Sequence, residues 1–145
     1  MRSTTVRFVD TNILLYAISR DPAEQIKATT ARTLLTAGGV ALSVQVLQEF
    51  YGQATRSTRG DRLSHEQASS LVESFTRFPV QDLTLTIVRR ALATRNSFGL
   101  SYWDSAIIEA ARALGCKELL SEDLSDGMNY DGVTVINPFS GHEHS

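Results

Sequence analysis

Asp10, Glu49, Asp104 and Asp123 are the residues of this 145-residue chain whose types and positions could do chemistry. Asp10 ends the run Val6-Arg7-Phe8-Val9, which reads as a short β-strand, and an apolar helical segment, residues 13–18, follows at once. In an open parallel sheet, ligands collect beyond the carboxyl ends of the strands, so an acid there is anchored behind and aimed at solvent in front. Asp123 follows a second strand, Glu118-Leu119-Leu120, that such a fold would set beside the first. Glu49 lies on a helix opened by Ser43, and Asp104 lies in the first turn of the best-patterned helix, residues 101–114. Asn12, two residues past the first acid, has an amide able to bond a neighbouring carboxylate or a water.

Each acid also has an ordinary structural explanation. Asp10 suits a helix N-cap. Glu49 shares a helical stripe with Gln45, Gln53 and Arg56 that would face water. Ser101-x-x-Asp104 fits a capping box, and Asp123 could be a loop acid. As a set they demand more. Two like charges ~4 Å apart repel by about 4 kcal/mol at an effective dielectric of 20. Gathered carboxylates therefore protonate or take up a cation. All-oxygen ligation suits Mg²⁺ or Mn²⁺. No histidine lies in or beside these motifs, which argues against a zinc hydrolase.

The elements that must position the acids alternate between strand and helix. Asp21-Pro22 begins a second helix, with Ile26, Ala31, Leu34 and Leu35 as its apolar residues in a segment 23–37 that Gly38-Gly39 ends. Val40-Ala41-Leu42 is a buried strand, and a helix over 44–56 follows its Ser43 cap. Residues 57–63 form a polar turn. Ser64 and Gln67 match a capping box for a helix carrying Ala68, Leu71, Val72 and Phe75. Pro79-Val80 starts a short strand, and 83–98 is helical, with Ile87, Val88, Ala91 and Leu92 apolar. In the helix over 101–114, Trp103, Ile107, Ala110 and Leu114 fall on one stripe at helical spacing, with Ile108 and Ala111 behind Asp104. Gly115 ends it at a favoured position. Residues 121–126 form a loop, Asp126-Gly127 and Asp131-Gly132 are turn signals, and Val133-Thr134-Val135-Ile136 is a last strand. The pattern predicts an α/β fold, a three-layer α/β/α sandwich around a mainly parallel sheet, as one domain over residues 1–139 with a polar, frayed tail at 140–145. His142 and His144 in that tail resemble a small chelating pair.

Hydrophobic content of 42% and charged content of 21% are ordinary for a soluble globular protein. No apolar run approaches the ~20 residues that span a bilayer, and no signal-peptide core precedes the first strand, so a cytoplasmic protein is expected. The single cysteine, Cys116, rules out an internal disulfide or a cysteine-rich zinc site and is expected to pack as a small hydrophobe. A net charge of −2 gives no overall basic field. Of the 14 basic residues only Lys27 and Lys117 are lysine. Arginine suits bidentate phosphate contacts. Arg56, Arg59 and Arg62 cluster around the turn after the Glu49 helix and could guide phosphates towards the acids, with Arg89 and Arg90 as a further pair.

Val9-Asp10-Thr11-Asn12, Ser43-x-Gln45-Val46-x-x-Glu49-Phe50, Tyr102-Trp103-Asp104-Ser105 and Leu119-Leu120-Ser121-Glu122-Asp123-Leu124 together resemble PIN domains, most nearly the VapC-type toxins of toxin–antitoxin pairs. Asp131-Gly132-Val133-x-Val135-x-Asn137-Pro138-Phe139 also looks like one branch of that group. The resemblance covers residues 6–139, and its strength is four motifs in family order. It implies a Mg²⁺- or Mn²⁺-dependent endoribonuclease that hydrolyses RNA through metal-activated water. A homodimer and a small cognate antitoxin are implied as partners. Residue by residue, the family's acidic quartet falls on Asp10, Glu49, Asp104 and Asp123. Asn12 and Ser121 match supporting polar positions, and Asp126 is a further acid that assists or only forms its turn.

Two other classes stay open. Phosphotransferases of the haloacid-dehalogenase and receiver types also use an Asp after a strand with Mg²⁺. The dehalogenase pattern wants a second Asp where this chain has Asn12, and both want a lysine after a later strand, whereas Lys117 precedes its strand. The other class is a non-catalytic RNA- or protein-binding module that kept the fold and lost the chemistry.

Overall fold

The computed structural model describes residues 6–140. The chain runs β1 (Arg7–Val9), α1 (Thr11–Ala17), a 3₁₀ turn (Pro22–Glu24), α2 (Gln25–Ala37), β2 (Val40–Ser43), α3 (Val44–Ala54), α4 (His65–Phe75), β3 (Val80–Gln81), α5 (Leu85–Phe98), α6 (Tyr102–Ala113), β4 (Glu118–Leu120), β5 (Asn129–Tyr130) and β6 (Val133–Ile136). His142 and His144 lie outside the described residues. Ser140, assigned by its composition to a frayed tail, is held by a turn: its backbone N–H and its hydroxyl both donate to the Asn137 carbonyl.

The strands form one six-stranded sheet in the order β3-β2-β1-β4-β6-β5. All pairs are parallel except the β5–β6 hairpin. Phe8, Val9, Ala41, Leu42, Leu119 and Leu120 are fully buried, as continuous apolar runs in central strands of a doubly covered sheet should be. The first two crossovers step from β1 outward to β2 and then β3. The third returns from β3 past β1 to β4. Right-handed crossovers moving in opposite directions put their helices on opposite faces. Accordingly α1 packs on α2 and α3, while α5 packs on α6 and α6 covers β2, β3, β4 and β6. The reversal makes the gap between β1 and β4 the switch point of the sheet, where the outgoing loops part and leave a crevice.

Side-chain caps set the helix starts. Ser43, Thr84 and Ser101 accept from backbone N–H groups of α3, α5 and α6, and Ser64 with Gln67 completes the expected capping box on α4. The ends shift slightly from the sequence reading: α3 stops at Ala54, and α5 starts at Leu85 because Thr84 caps it.

Three features go beyond or depart from the sequence reading. Trp103 is 64% exposed instead of sharing the buried stripe of α6. Residues 105–111 are all buried, so α6 is enclosed between α5 and the sheet, and only its ends reach solvent. Ile26 and Leu92, grouped with apolar helix positions, are 64% and 53% exposed. The two-residue strand β5 is too short for periodicity to register. Its signal is the turn itself: Asp131 and Gly132 both have positive φ, at 52° and 102°, as a tight two-residue hairpin requires.

Candidate active site

Asp10 leaves β1 at the switch point, with a backbone N–H donating to the Leu120 carbonyl of β4 across 3.0 Å. Its side chain is 6% exposed. One carboxylate oxygen accepts the Thr11 N–H at 2.7 Å, so the expected cap at the head of α1 is present. The other accepts the Ser121 hydroxyl at 2.8 Å. Ser121 is fully buried, and its oxygen also accepts the Asp123 N–H at 3.1 Å. One serine thus ties the acid of β1 to the loop that leaves β4, which parallel pairing of these strands places alongside.

Asn12 spans the same gap two residues further on. Its carbonyl oxygen accepts the Glu122 N–H at 3.3 Å, and its amide nitrogen donates to Asp123 Oδ2 at 3.1 Å. Asp123 itself is exposed. Glu49, half-buried on α3, accepts the Thr11 hydroxyl at 2.7 Å and the Gln45 side-chain amide at 3.0 Å. The same Gln45 nitrogen donates to the Trp103 carbonyl at 3.1 Å, which fastens the head of α6 to α3. Asp104 follows directly, half-buried, with its N–H capped by Ser101.

Among the described residues, no three His, Cys, Asp or Glu side chains are gathered as a ready ligand set. The acids are held by neutral donors instead, and they still feel one another. Burial pushes the Asp10 carboxyl up to about 7, the Ser121 and Thr11 hydrogen bonds oppose that rise, and the charges of Asp123 and Glu49 add to it. Burial likewise raises Asp104, against the Ser101 hydroxyl, and Asp123 and Glu49 again add repulsion. Both acids therefore lie within the electrostatic reach of the other two. Their donors are all oxygen and the electrostatic environment favours added positive charge, which fits a hard divalent cation.

Thr11 and Gln45 went unrecognised in the sequence as holders of Glu49. Gln45 read as part of a water-facing stripe, but it is 8% exposed. The available signal was its i, i+4 spacing to Glu49. Asp126 does not join the other acids by hydrogen bond; its carboxylate accepts the Asn137 N–H at 2.8 Å and fixes the end of β6. Of the arginines, Arg56, Arg62, Arg89 and Arg90 are exposed. Arg59 is paired with Asp61 at 2.9 Å, and Asp61 also accepts the Arg20 N–H, so Arg59 secures its own loop. Lys117 precedes β4, at the sheet edge opposite Asp10.

The PIN domain family model matches residues 7–125. Comparison with curated protein sequences finds no match. Solved structures with the same fold include a toxin–antitoxin complex from Klebsiella pneumoniae, 21% identical, TM-score 0.65, covering 91% of this chain and 97% of that one. DNA-bound VapBC from Salmonella typhimurium is 20% identical, TM-score 0.64, covering 92% and 98%. VapC20 of Mycobacterium tuberculosis, a sarcin–ricin loop cleaving toxin, is 20% identical, TM-score 0.61, covering 81% and 91%. The span matched by the family model takes in β1 through β4 and every acid of the quartet, and on that ground the chain belongs to the PIN domain family.

Proposed function

We propose that this chain is a Mg²⁺- or Mn²⁺-dependent endoribonuclease and the toxin of a type II toxin–antitoxin pair. The observation that carries the reading is Asp10: a carboxylate almost fully buried, bonded only to neutral donors, with other acids raising its pKa further. A divalent cation held by Asp10 and Asp104, with Glu49 and Asp123 as direct or water-bridged ligands, would supply a Lewis acid and a water of lowered pKa. Ser121 and Thr11 orient Asp10; Thr11 and Gln45 orient Glu49; Asn12 orients Asp123. Hydrolysis by water needs no 2′-hydroxyl and leaves a 5′-phosphate and a 3′-hydroxyl. Specific RNA recognition commonly targets single-stranded loops. Arg56 and Arg62, exposed in the turn region that follows α3, are cations suited to guide such a strand.

The solved relatives in complex support a cognate antitoxin as partner. A second copy of the chain is the other expected partner. Exposed Ile26, Leu85, Leu92 and Trp103 are apolar surface that such partners would cover. No helix among the described residues is long and apolar enough to cross a membrane, in keeping with a cytoplasmic site of action.

The test is cleavage of single-stranded RNA with Mg²⁺ or Mn²⁺ by wild type and Asp10→Asn. Metal-dependent cleavage with 5′-phosphate products, lost in the variant, is expected; equal cleavage by both would overturn the reading. A second reading, a non-catalytic binding module, draws on the absence of a gathered ligand set among the described residues. RNA binding without cleavage in the same assay would favour it.

A further inference from the structure

Glu122 sits between Ser121 and Asp123, yet its side chain has no hydrogen bond to the other acids. One carboxylate oxygen accepts the Tyr16 hydroxyl at 2.6 Å, and the other is paired with the Lys27 ammonium. Lys27 also donates to the Tyr16 hydroxyl at 3.3 Å. Its ammonium lies 5.0 Å from the centre of the Tyr16 ring and 5.8 Å from that of Phe139, and those two rings meet edge-on at 5.0 Å. The pair is partly shielded, with 24% of the Glu122 side chain and 40% of the Lys27 side chain exposed. Tyr16 stands one helical turn after Asn12, so both project from the same face of α1. Asn12 holds the Glu122 N–H and the Asp123 carboxylate; Tyr16 holds the Glu122 carboxylate.

We infer that Lys27, Tyr16 and Glu122 form a latch that sets the posture of the 121–123 turn, and so places Asp123 and the Ser121 hydroxyl for the acid pocket. The inference rests on reading that pocket as a divalent-cation site. Two acids adjacent in sequence are sent in different directions, Glu122 to the ammonium and Asp123 to Asn12. Lys27 also keeps the Glu122 charge from adding to the pocket's repulsion. These three are positioning residues. Lys27 acts from α2, which contributes no acid of the quartet.

The experiment measures Mn²⁺ binding by electron paramagnetic resonance and amide hydrogen exchange in wild type, Asp10→Asn, Lys27→Met, Lys27→Arg and Tyr16→Phe, without RNA. Lys27→Met should weaken Mn²⁺ binding roughly tenfold, in the range found when groups that orient metal ligands are lost. Its Glu122 and Asp123 amides should exchange faster while those of β1 and β4 keep their protection. Tyr16→Phe should shift both readouts in the same direction by less, and Lys27→Arg should restore them. Wild-type Mn²⁺ affinity and exchange in Lys27→Met would overturn the latch, and Asp10-dependent binding in the same series would leave the metal reading intact. Uniform loss of protection through β1 and β4 would overturn the latch in favour of a merely structural ion pair. Failure of wild type to bind Mn²⁺ would overturn the metal reading, and the latch with it.

Discussion

Asp10 and Glu109 are both nearly buried carboxylates, 6% and 4% exposed, and the protein answers them in opposite ways. Glu109 lies midway along α6. It accepts the Thr94 hydroxyl at 2.6 Å from α5 and pairs with Arg112 at 2.9 Å one turn on. Arg112 continues to the Tyr130 and Asp131 carbonyls and so clamps the β5–β6 hairpin to α6. Asp10 has a hydroxyl, a backbone N–H and the repulsion of neighbouring acids. A buried acid with its own arginine is a complete structural unit, and removing one partner strands the other. A buried acid given only neutral donors is poised for a cation from outside. Under the proposed function, the contrast separates an acid that serves stability from one that would serve chemistry.

Exchanging the two acids for neutral residues should break the comparison most visibly. Asp10→Asn is expected to lower RNA cleavage on the order of a thousandfold or more, as loss of a central catalytic group does. Glu109→Ala should leave cleavage per folded molecule within about twofold, a scale at which no catalytic interaction is lost. Steady-state rates normalised to the folded fraction check both.

The pH dependence of stability sharpens the same point. The folded-state pKa of Asp10, about 7, lies above its unfolded value of 3.8. Its favourable contribution is therefore full below the unfolded pKa and lost as pH rises through the folded one. From pH 4 to 8, metal-free wild type should lose up to roughly 4 kcal/mol from this group, about three units at 1.36 kcal/mol each. Asp104, raised in the same direction, adds to the loss. Urea unfolding in chelator at both pH values should show a smaller drop for Asp10→Asn than for wild type.

Glu109→Ala should cost about 3 kcal/mol of stability, the low end for a broken buried pair, because Arg112 is 28% exposed and keeps two carbonyl partners. A shift in urea midpoint measures it. Smaller still, Ser121→Ala should reduce cleavage roughly tenfold through loss of Asp10 and Asp123 orientation. The smallest expected effect is on Arg62→Ala: a rise in KM of roughly two- to fivefold with kcat kept, and a shallower salt dependence.

The acids at the strand ends were more legible in the sequence than the polar groups that hold them. Asp10 and Asp123 could be placed side by side because strand–helix alternation implies a parallel sheet with a crevice at its carboxyl edge. The Ser64–Gln67 cap was legible because its three-residue spacing is local. Thr11 was not, because its partner Glu49 lies on another helix. Gln45 and Glu109 each have one partner within their own helix, but their second partners, the Trp103 carbonyl and the Thr94 hydroxyl, lie on other elements. Trp103 misled for the same reason: a stripe assumes one buried face, whereas α6 is enclosed along its middle and open at its head.

Thermal unfolding of wild type and Asp10→Asn near neutral pH, with Mn²⁺ titrated in, tests the central claim most directly. A ligand that binds only the folded state raises its melting temperature with concentration. The account predicts that rise in wild type and its loss in Asp10→Asn. No shift in wild type, or an equal shift in both proteins, would contradict it.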